Sequence, residues 1–234
     1  MITNWFDDDP LFNRYYPYDA GYRYYFEHEW GIPVQRDEQL FEFLSLGGFA
    51  AGLNWAVVFN KRSAFDACQI EVVAAYRPEQ IANLLSNSAI IRNRRKIEAV
   101  IHNARLIQQI RTTQSFKDYL WQQLGHQQLI IQPQYYDELP RTTITGDRIA
   151  QHLQQVGFKF VGPVTINAWL VNTGFITARP DQLGIITTTP RHSSTMLPPR
   201  SPGILSLNPG LLRCFNCRSA YLARDPLLFP DNNG

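Results

Sequence analysis

Apolar residues recur at helical spacing in several segments of the chain before residue 158, with polar positions between them. The clearest run covers residues 95–110, where i, i+3 and i+4 spacing predicts a helix with one buried face. Its apolar positions are Ile97, Val100, Ile101, Ala104 and Ile107. Alternation typical of strands is weak in this part of the chain. The pattern predicts the all-α class, as a compact helical bundle with short connections.

Residues that favour helix ends predict the bounds of further helices. Asp37 is a candidate N-cap, and Pro78 suits the first turn of another helix. Their apolar positions are Leu40, Phe41, Phe43 and Leu44 for the first, and Ile81, Leu84 and Leu85 for the second. Two more helices are predicted over residues 115–124 and 147–156, and Gly157 is a natural stop for the latter.

The character of the chain changes near residue 179. Beyond it, helix-breaking residues crowd the stretches 187–190 and 197–203. We therefore predict a helical domain over residues 1–179 and an irregular, poorly ordered Pro/Ser/Thr-rich tail over residues 180–234.

Composition excludes some functions and leaves others open. The chain has 234 residues, of which 44% are hydrophobic and 18% charged, with a net charge of +2. Nucleic-acid binding would therefore depend on a local cluster of charge. A phosphate-binding glycine loop, a serine-hydrolase motif and a kinase signature are all missing from the sequence. We expect a monomer without membrane association, in the cytoplasm or another DNA-containing intracellular compartment.

Basic residues cluster at the start of the clearest helix. They are Arg92, Arg94, Arg95 and Lys96, followed by Arg105 and Arg111. A turn that leads into a helix N-terminus presents backbone N–H groups to a phosphate, and flanking arginines add charge. Such contacts would hold DNA without reading its sequence. The alternative is an ordinary solvated helix end.

Four aromatic residues could form a pocket for a flat, cationic base such as an alkylated purine. They are Trp5, Tyr25, Trp30 and Trp55. Cation–π attraction to such rings contributes about 0.5–2 kcal/mol for each desolvated contact. The alternative is that these side chains belong to the hydrophobic core.

Cysteines give little support for a metal site. Cys214 and Cys217 form a lone C-x-x-C pair, and His192 is the histidine nearest to it in sequence. Because a structural zinc site needs four ligands, we predict neither a metal nor a cofactor. Two free thiols, or a metal shared with a partner chain, remain open.

Several ordered motifs run from Trp5 to about Arg179, with an insertion around residues 13–24. They include Glu-Trp-Gly-Ile-Pro at 29–33, Ala-Gly-Leu-Asn-Trp at 51–55, Ile-Ile-Arg-Asn-Arg at 90–94 and Gly-Phe-Lys-Phe-Val-Gly-Pro at 157–163. In these motifs the chain resembles the DNA-3-methyladenine glycosylase I family, whose members are small helical enzymes of the helix–hairpin–helix superfamily.

The resemblance implies a function in base excision repair of alkylation damage. The family flips 3-methyladenine out of duplex DNA and hydrolyses its N-glycosidic bond. By this resemblance Tyr25 and Trp55 form the walls of the base pocket, with Trp5 and Trp30 beside them. The implied partner is double-stranded DNA containing alkylated bases. The implied DNA-binding residues are Arg92, Asn93, Arg94, Arg95 and Lys96.

The chain also departs from the family pattern. Gly47 stands where the family has a glutamate that contacts the cationic base. The family's zinc ligands correspond to Thr3, Phe26, Arg179 and Leu183, none of which suits zinc. We assign no catalytic residue. Carboxylates that could replace the lost one are Glu27, Glu29 and Glu42.

Three functions follow from this balance. The first is a glycosylase for 3-methyladenine, with activity weakened by the loss of the carboxylate. The second is a catalytically inactive relative that binds DNA or senses damage. The third, a helical scaffold that has lost DNA binding, is disfavoured by the intact aromatic and basic motifs.

Overall fold

The computed structural model describes residues 20–65, 69–133 and 136–178. The helices are α1 (Ala20–His28), α2 (Asp37–Ala50), α3 (Trp55–Phe59), α4 (Ile70–Ala74), α5 (Pro78–Ser86), α6 (Arg94–Ile110), α7 (Phe116–Gln123), α8 (Ile144–Val156) and α9 (Pro163–Asn172). Short 3₁₀ turns cover Arg62–Phe65 and Tyr136–Glu138. Strands β1 (Leu129–Ile130) and β2 (Ile176–Thr177) form a parallel pair in which Leu129 faces Ile176. The predicted all-α class is confirmed, with this short pair as an addition.

Helices α2 and α9 lie at the centre because both are apolar on nearly every side, which is typical of buried helices. The indole Nε1 of Trp169 in α9 donates to the carbonyl oxygen of Leu40 in α2 at 3.0 Å, in the interior. Gly47 and Gly48, further along α2, face Thr165 and Phe160 respectively. Small residues on α2 therefore allow close approach of the chain around α9.

Local signals placed the ends of several helices correctly. Helix α5 begins at Pro78, and α6 covers the predicted segment with Asn93 as its N-cap. Helix α8 starts at Ile144, earlier than predicted, because Oγ1 of Thr143 accepts from the Gly146 amide at 2.9 Å. It stops at Gly157, whose φ of 106° lies in the left-handed region that favours glycine.

Asp37 has a different role from the predicted one. It is the first residue of α2, and the N-cap position belongs to Arg36. The buried Asp37 carboxylate instead accepts from the amides of Phe116 and Lys117 at 3.0 and 2.9 Å. Asp37 therefore satisfies the free N–H groups of α7, a helix far away in sequence.

The described residues bear on the membrane prediction but not on the predicted domain boundary. Among the described residues, no helix has the length and apolar character that crossing a bilayer requires. The domain boundary near residue 179 and the tail at 180–234 lie outside the described residues.

Candidate functional site

Tyr25 and Trp55, the two predicted walls of a base pocket, come together in the structure. Their ring centroids are 6.2 Å apart, with an interplanar angle of 42°. Tyr25 lies on α1 and is 1% exposed, whereas Trp55 is half-buried at the start of α3. Asn54 fixes that start, because its Oδ1 accepts from the Ala56 amide at 2.8 Å.

Phe59 adjoins both rings, although the sequence analysis did not predict it as a site residue. Its centroid lies 5.0 Å from that of Tyr25 and 6.1 Å from that of Trp55. The i, i+4 spacing between Trp55 and Phe59 is the signal that could have found it. The result is an aromatic cluster in which Tyr25 is buried and Trp55 and Phe59 are both partly exposed.

The phenol oxygen of Tyr25 is buried and has no hydrogen-bond partner among the described residues. Burial, reinforced by the nearby Tyr136, raises the pKa of Tyr25 well above its ordinary value. A buried hydroxyl without a partner is destabilising. The aromatic cluster therefore holds a neutral donor and acceptor that a polar ligand atom could satisfy.

The two remaining predicted aromatic residues do not join this cluster in the described part of the chain. Trp30 is 1% exposed and packs on Phe26 and Tyr136, with centroids 5.9 and 6.1 Å away. This is a position in the hydrophobic core. Trp5 lies outside the described residues.

Gly47 has a neighbour that the sequence did not indicate. A Cβ atom added to Gly47 would lie 3.3 Å from Cγ2 of Thr165 on α9, a tight contact. The backbone here therefore leaves little space for a side chain unless Thr165 shifts. No local sequence signal pointed to Thr165, because the two positions lie on separate helices.

Two carboxylates near the aromatic cluster are engaged by Arg62. Its Nη1 lies 2.5 Å from Oε2 of Glu29, and its Nε lies 2.6 Å from Oε1 of Glu42. Burial by itself would lower the pKa of Arg62, but the carboxylates of Glu42 and Glu29 outweigh it and raise that pKa. The guanidinium also lies 5.8 Å from the centroid of the Phe59 ring.

These ion pairs bear on the replacement of the lost carboxylate. Glu29 and Glu42 both bind Arg62, and Glu27 pairs with Arg23 at 2.8 Å near the surface. Each of the three candidate glutamates thus already has a cationic partner, which offsets the charge that it could offer to a cationic base.

The N-terminus of α6 presents the predicted basic cluster to solvent. Arg92, Arg94 and Arg95 are exposed, and Oδ1 of Asn93 accepts from the Lys96 amide at 3.2 Å. The amides of Arg94 and Arg95 have no acceptor among the described residues. Arg94 forms an exposed pair with Glu98 at 3.3 Å. Two amides and three guanidinium groups at one helix end are suited to phosphate.

The segment between α5 and α6 is anchored to the protein. Ile90 in this connection is 4% exposed, and the Asn87 side chain accepts from the Ala89 amide at 2.9 Å. Nζ of Lys61 donates to the carbonyl oxygen of Ser88 at 2.9 Å. These contacts hold the turn that leads to the exposed arginines.

Three other cations of the predicted cluster have acceptors within the protein, and their part in DNA binding stays a prediction. Lys96 is 7% exposed, and its Nζ donates to the carbonyl oxygens of Phe49 and Ala51, both at 2.7 Å. Arg105 donates to backbone carbonyl groups at the end of α4 and just after it, and Arg111 pairs with acidic residues. Of the three, Lys96 alone is buried, whereas Arg105 is exposed and Arg111 is half-buried.

The described part of the chain does not fit the family's zinc site. Phe26 is 2% exposed and packs against Trp30 and Tyr136, so an apolar ring occupies that position. Among the described residues, no group of three or more His, Cys, Asp or Glu side chains could hold a metal ion. The other positions that correspond to the family's zinc ligands, and the C-x-x-C pair with the nearest histidine, lie outside the described residues: Thr3, Arg179, Leu183, His192, Cys214 and Cys217.

Solved structures define the class of protein first. A crystal structure of 3-methyladenine DNA glycosylase I superposes with a TM-score of 0.64 and 34% identity, covering 69% of this chain and 92% of that one. A variant of such an enzyme, solved in complex with 3-methyladenine, also gives a TM-score of 0.64, with 28% identity over 70% of this chain and 94% of that one. The fold is that of helical DNA glycosylases.

The family follows from sequence comparison. The methyladenine glycosylase family model matches residues 15–182. DNA-3-methyladenine glycosylase 1 of Escherichia coli (strain K12) is 33% identical over 177 residues, or 74% of this chain and 89% of that protein. The Haemophilus influenzae DNA-3-methyladenine glycosylase is 28% identical over 161 residues, or 65% of this chain and 85% of that protein. The chain belongs to the methyladenine glycosylase family.

Proposed function

We propose that this protein recognises 3-methyladenine flipped out of duplex DNA and hydrolyses its N-glycosidic bond, at a rate reduced by the absence of a carboxylate at Gly47. The observation that supports this most is the aromatic cluster around the unpartnered Tyr25 hydroxyl, in a chain of the methyladenine glycosylase family. The exposed α6 N-terminus supplies the phosphate contacts.

Recognition in this proposal uses the aromatic rings and the buried hydroxyl. A base stacked between two rings requires centroids about 7 Å apart, twice the optimal carbon–carbon contact. The 6.2 Å separation of Tyr25 and Trp55 is slightly smaller, so we expect the half-buried Trp55 to move outward. Cation–π attraction then favours the cationic base over neutral adenine.

The reaction requires little from the protein beyond electrostatic stabilisation. A 3-alkylated adenine is cationic and leaves as a neutral base, so its glycosidic bond is already weakened. A carboxylate beside the base would stabilise the bound cation. Losing one charge-assisted hydrogen bond of about 1.5–3 kcal/mol reduces the rate by one to two decades. Residual turnover above the spontaneous rate is therefore expected.

The second candidate function is an inactive protein that binds damaged DNA. It is favoured by Gly47 together with the pairing of Glu29 and Glu42 to Arg62, since both of these carboxylates already have a cationic partner. It predicts preferential binding to damaged duplex without release of a base.

The two functions are separated by incubating the protein with methylated duplex DNA and measuring free 3-methyladenine by chromatography. Binding to a duplex with an abasic-site analogue is measured in parallel. The matched control is the Tyr25→Ala, Trp55→Ala double variant. Release above this control supports the glycosylase. Preferential binding without release supports the second function, and neither binding nor release excludes both.

A further inference from the structure

Lys96 carries a buried ammonium group at the junction where the end of α2, the start of α6 and the segment of residues 157–162 meet. Its Nζ donates to the carbonyl oxygens of Phe49 and Ala51, at the C-terminal end of α2. It also lies 5.9 Å from the ring centroid of Phe160. Carbonyl groups at a helix C-terminus lack N–H donors within the helix, so a cation that donates to them is favourable. Lys96 thus fixes the end of α2.

The end of α2 leads directly to the base pocket. Ala51 is the C-cap residue of α2, and Asn54 caps α3 only three positions later. Trp55 follows as the first residue of α3. The position of the Ala51 carbonyl group therefore sets where the backbone carrying the Trp55 ring enters α3.

The backbone of Lys96 belongs to the phosphate-facing end of α6. Its amide is held by Oδ1 of Asn93 at 3.2 Å, and the free amides of Arg94 and Arg95 immediately precede it. The backbone of Lys96 thus adjoins the amides proposed to bind phosphate, and its side chain contacts the end of α2, which leads to the base pocket.

The segment of residues 157–162 completes the junction. Phe160 has a φ of 56°, unusual for a residue other than glycine, and lies against Gly48 of α2. Asn103 of α6 holds this segment, since it donates to the Lys159 carbonyl oxygen at 3.0 Å and accepts from the Lys159 amide at 2.8 Å. Strained backbone persists where the surroundings over-determine it.

Burial of Lys96 is unfavourable by itself. No carboxylate pairs with it among the described residues, and desolvation lowers the pKa of its ammonium group. The two carbonyl oxygens and the Phe160 ring offset part of this penalty. Lys96 differs in this from Arg95, whose side chain stays in water one residue earlier.

We propose that Lys96 is a positioning residue that couples the phosphate-binding end of α6 to the Trp55 wall of the base pocket. The proposal rests on the proposed function, because it assigns Lys96 a role in forming that pocket. DNA held at Arg94 and Arg95 would fix α6, and Lys96 would then hold the end of α2 and the start of α3 in the base-binding arrangement.

The test compares Lys96→Met with Arg95→Met in two binding measurements on the full chain. The first is the affinity for free 3-methyladenine, followed by calorimetry. The second is the affinity for undamaged duplex DNA as a function of salt. We expect Lys96→Met to weaken binding of the free base about tenfold, the loss of one well-placed interaction, and to change duplex affinity less than twofold. We expect Arg95→Met to weaken binding to duplex DNA, to lower its salt slope by about one, and to leave the affinity for the free base nearly unchanged.

Other outcomes overturn the proposal in recognisable ways. If Lys96→Met lowered duplex affinity and salt slope as Arg95→Met does, with base affinity unchanged, Lys96 would be a phosphate ligand. If it changed neither affinity while lowering the melting temperature, Lys96 would only stabilise the fold. Lys96→Gln is the second variant should the methionine variant not fold. If the unmodified protein bound neither ligand, the proposed function itself would fail.

Discussion

The methyl group of Thr165 lies against Gly47, 3.3 Å from where a Cβ atom at that position would stand. The two residues belong to α9 and α2, the central pair of helices. The Thr165 methyl group thus borders the space through which a longer side chain at Gly47 would leave α2. Restoring a carboxylate therefore involves both residues.

Gly47→Glu combined with Thr165→Ser should increase the release of 3-methyladenine. The serine removes the crowding methyl group, and the glutamate supplies a charge-assisted hydrogen bond of about 1.5–3 kcal/mol, or ten- to a hundredfold in rate. The measurement is single-turnover release of the base from methylated duplex DNA. Gly47→Ala with Thr165→Ser is the matched control, since it adds Cβ without a charge. Equal acceleration by both pairs would show that the carboxylate is irrelevant.

Tyr25→Phe should raise stability and weaken base binding at neutral pH. The phenol oxygen is buried without a partner among the described residues, and removing such a group relieves a desolvation penalty of about 1 kcal/mol. The ring stays and keeps its stacking contacts. Urea unfolding and titration with free 3-methyladenine measure the two effects. A variant that is destabilised at neutral pH would imply that the hydroxyl has a partner in the native protein.

The same variant should change how stability depends on alkaline pH. Burial raises the pKa of Tyr25, so the folded protein keeps its proton at a pH where the unfolded chain, with a pKa of about 10, has lost it. The contribution of Tyr25 to the free energy of unfolding is complete below about pH 10, and it falls by about 1.4 kcal/mol per pH unit above pH 10. Unfolding free energies between pH 9 and 11 should therefore decline less steeply in Tyr25→Phe. Parallel curves would contradict burial of the phenol.

Arg92→Gln and Arg95→Gln should each weaken binding to undamaged duplex and reduce its salt dependence. Each phosphate contact contributes about 0.9 to the slope of log affinity against log salt concentration. Arg148 on α8 is also exposed and serves as the matched control, with Arg148→Gln expected to leave the slope unchanged. Fluorescence anisotropy at several salt concentrations gives these slopes. Equal slopes for all variants would place the DNA contact elsewhere.

Arg62→Met should be one of the more destabilising substitutions in the domain. It would leave the largely buried carboxylates of Glu29 and Glu42 without their cation, and breaking such a network is destabilising by about 3 kcal/mol. Arg23→Met is the control, because the Arg23–Glu27 pair is more exposed and its loss should be below about 1 kcal/mol. Chemical unfolding measures both. Adding Glu29→Gln and Glu42→Gln to Arg62→Met should recover part of the loss.

The sequence alone determined those features that depend on neighbours a few residues apart. The periodic apolar face predicted α6, and Pro78 and Gly157 marked the start of α5 and the end of α8, because each acts through its own backbone geometry. The motifs around Tyr25 and Trp55 likewise identified the family and the two rings that now lie 6.2 Å apart.

The tertiary structure decided which charged and polar groups face inward. Asp37 was predicted to cap its own helix but accepts from amides of α7. The ammonium group of Lys96 donates to carbonyl oxygens at the end of α2, partners that the sequence did not indicate. Thr165 gave no signal at all for its contact with Gly47. Residue type and spacing show that a donor or acceptor is present. Its partner depends on which distant segments the core brings within hydrogen-bonding distance, because a buried polar group without a partner is destabilising.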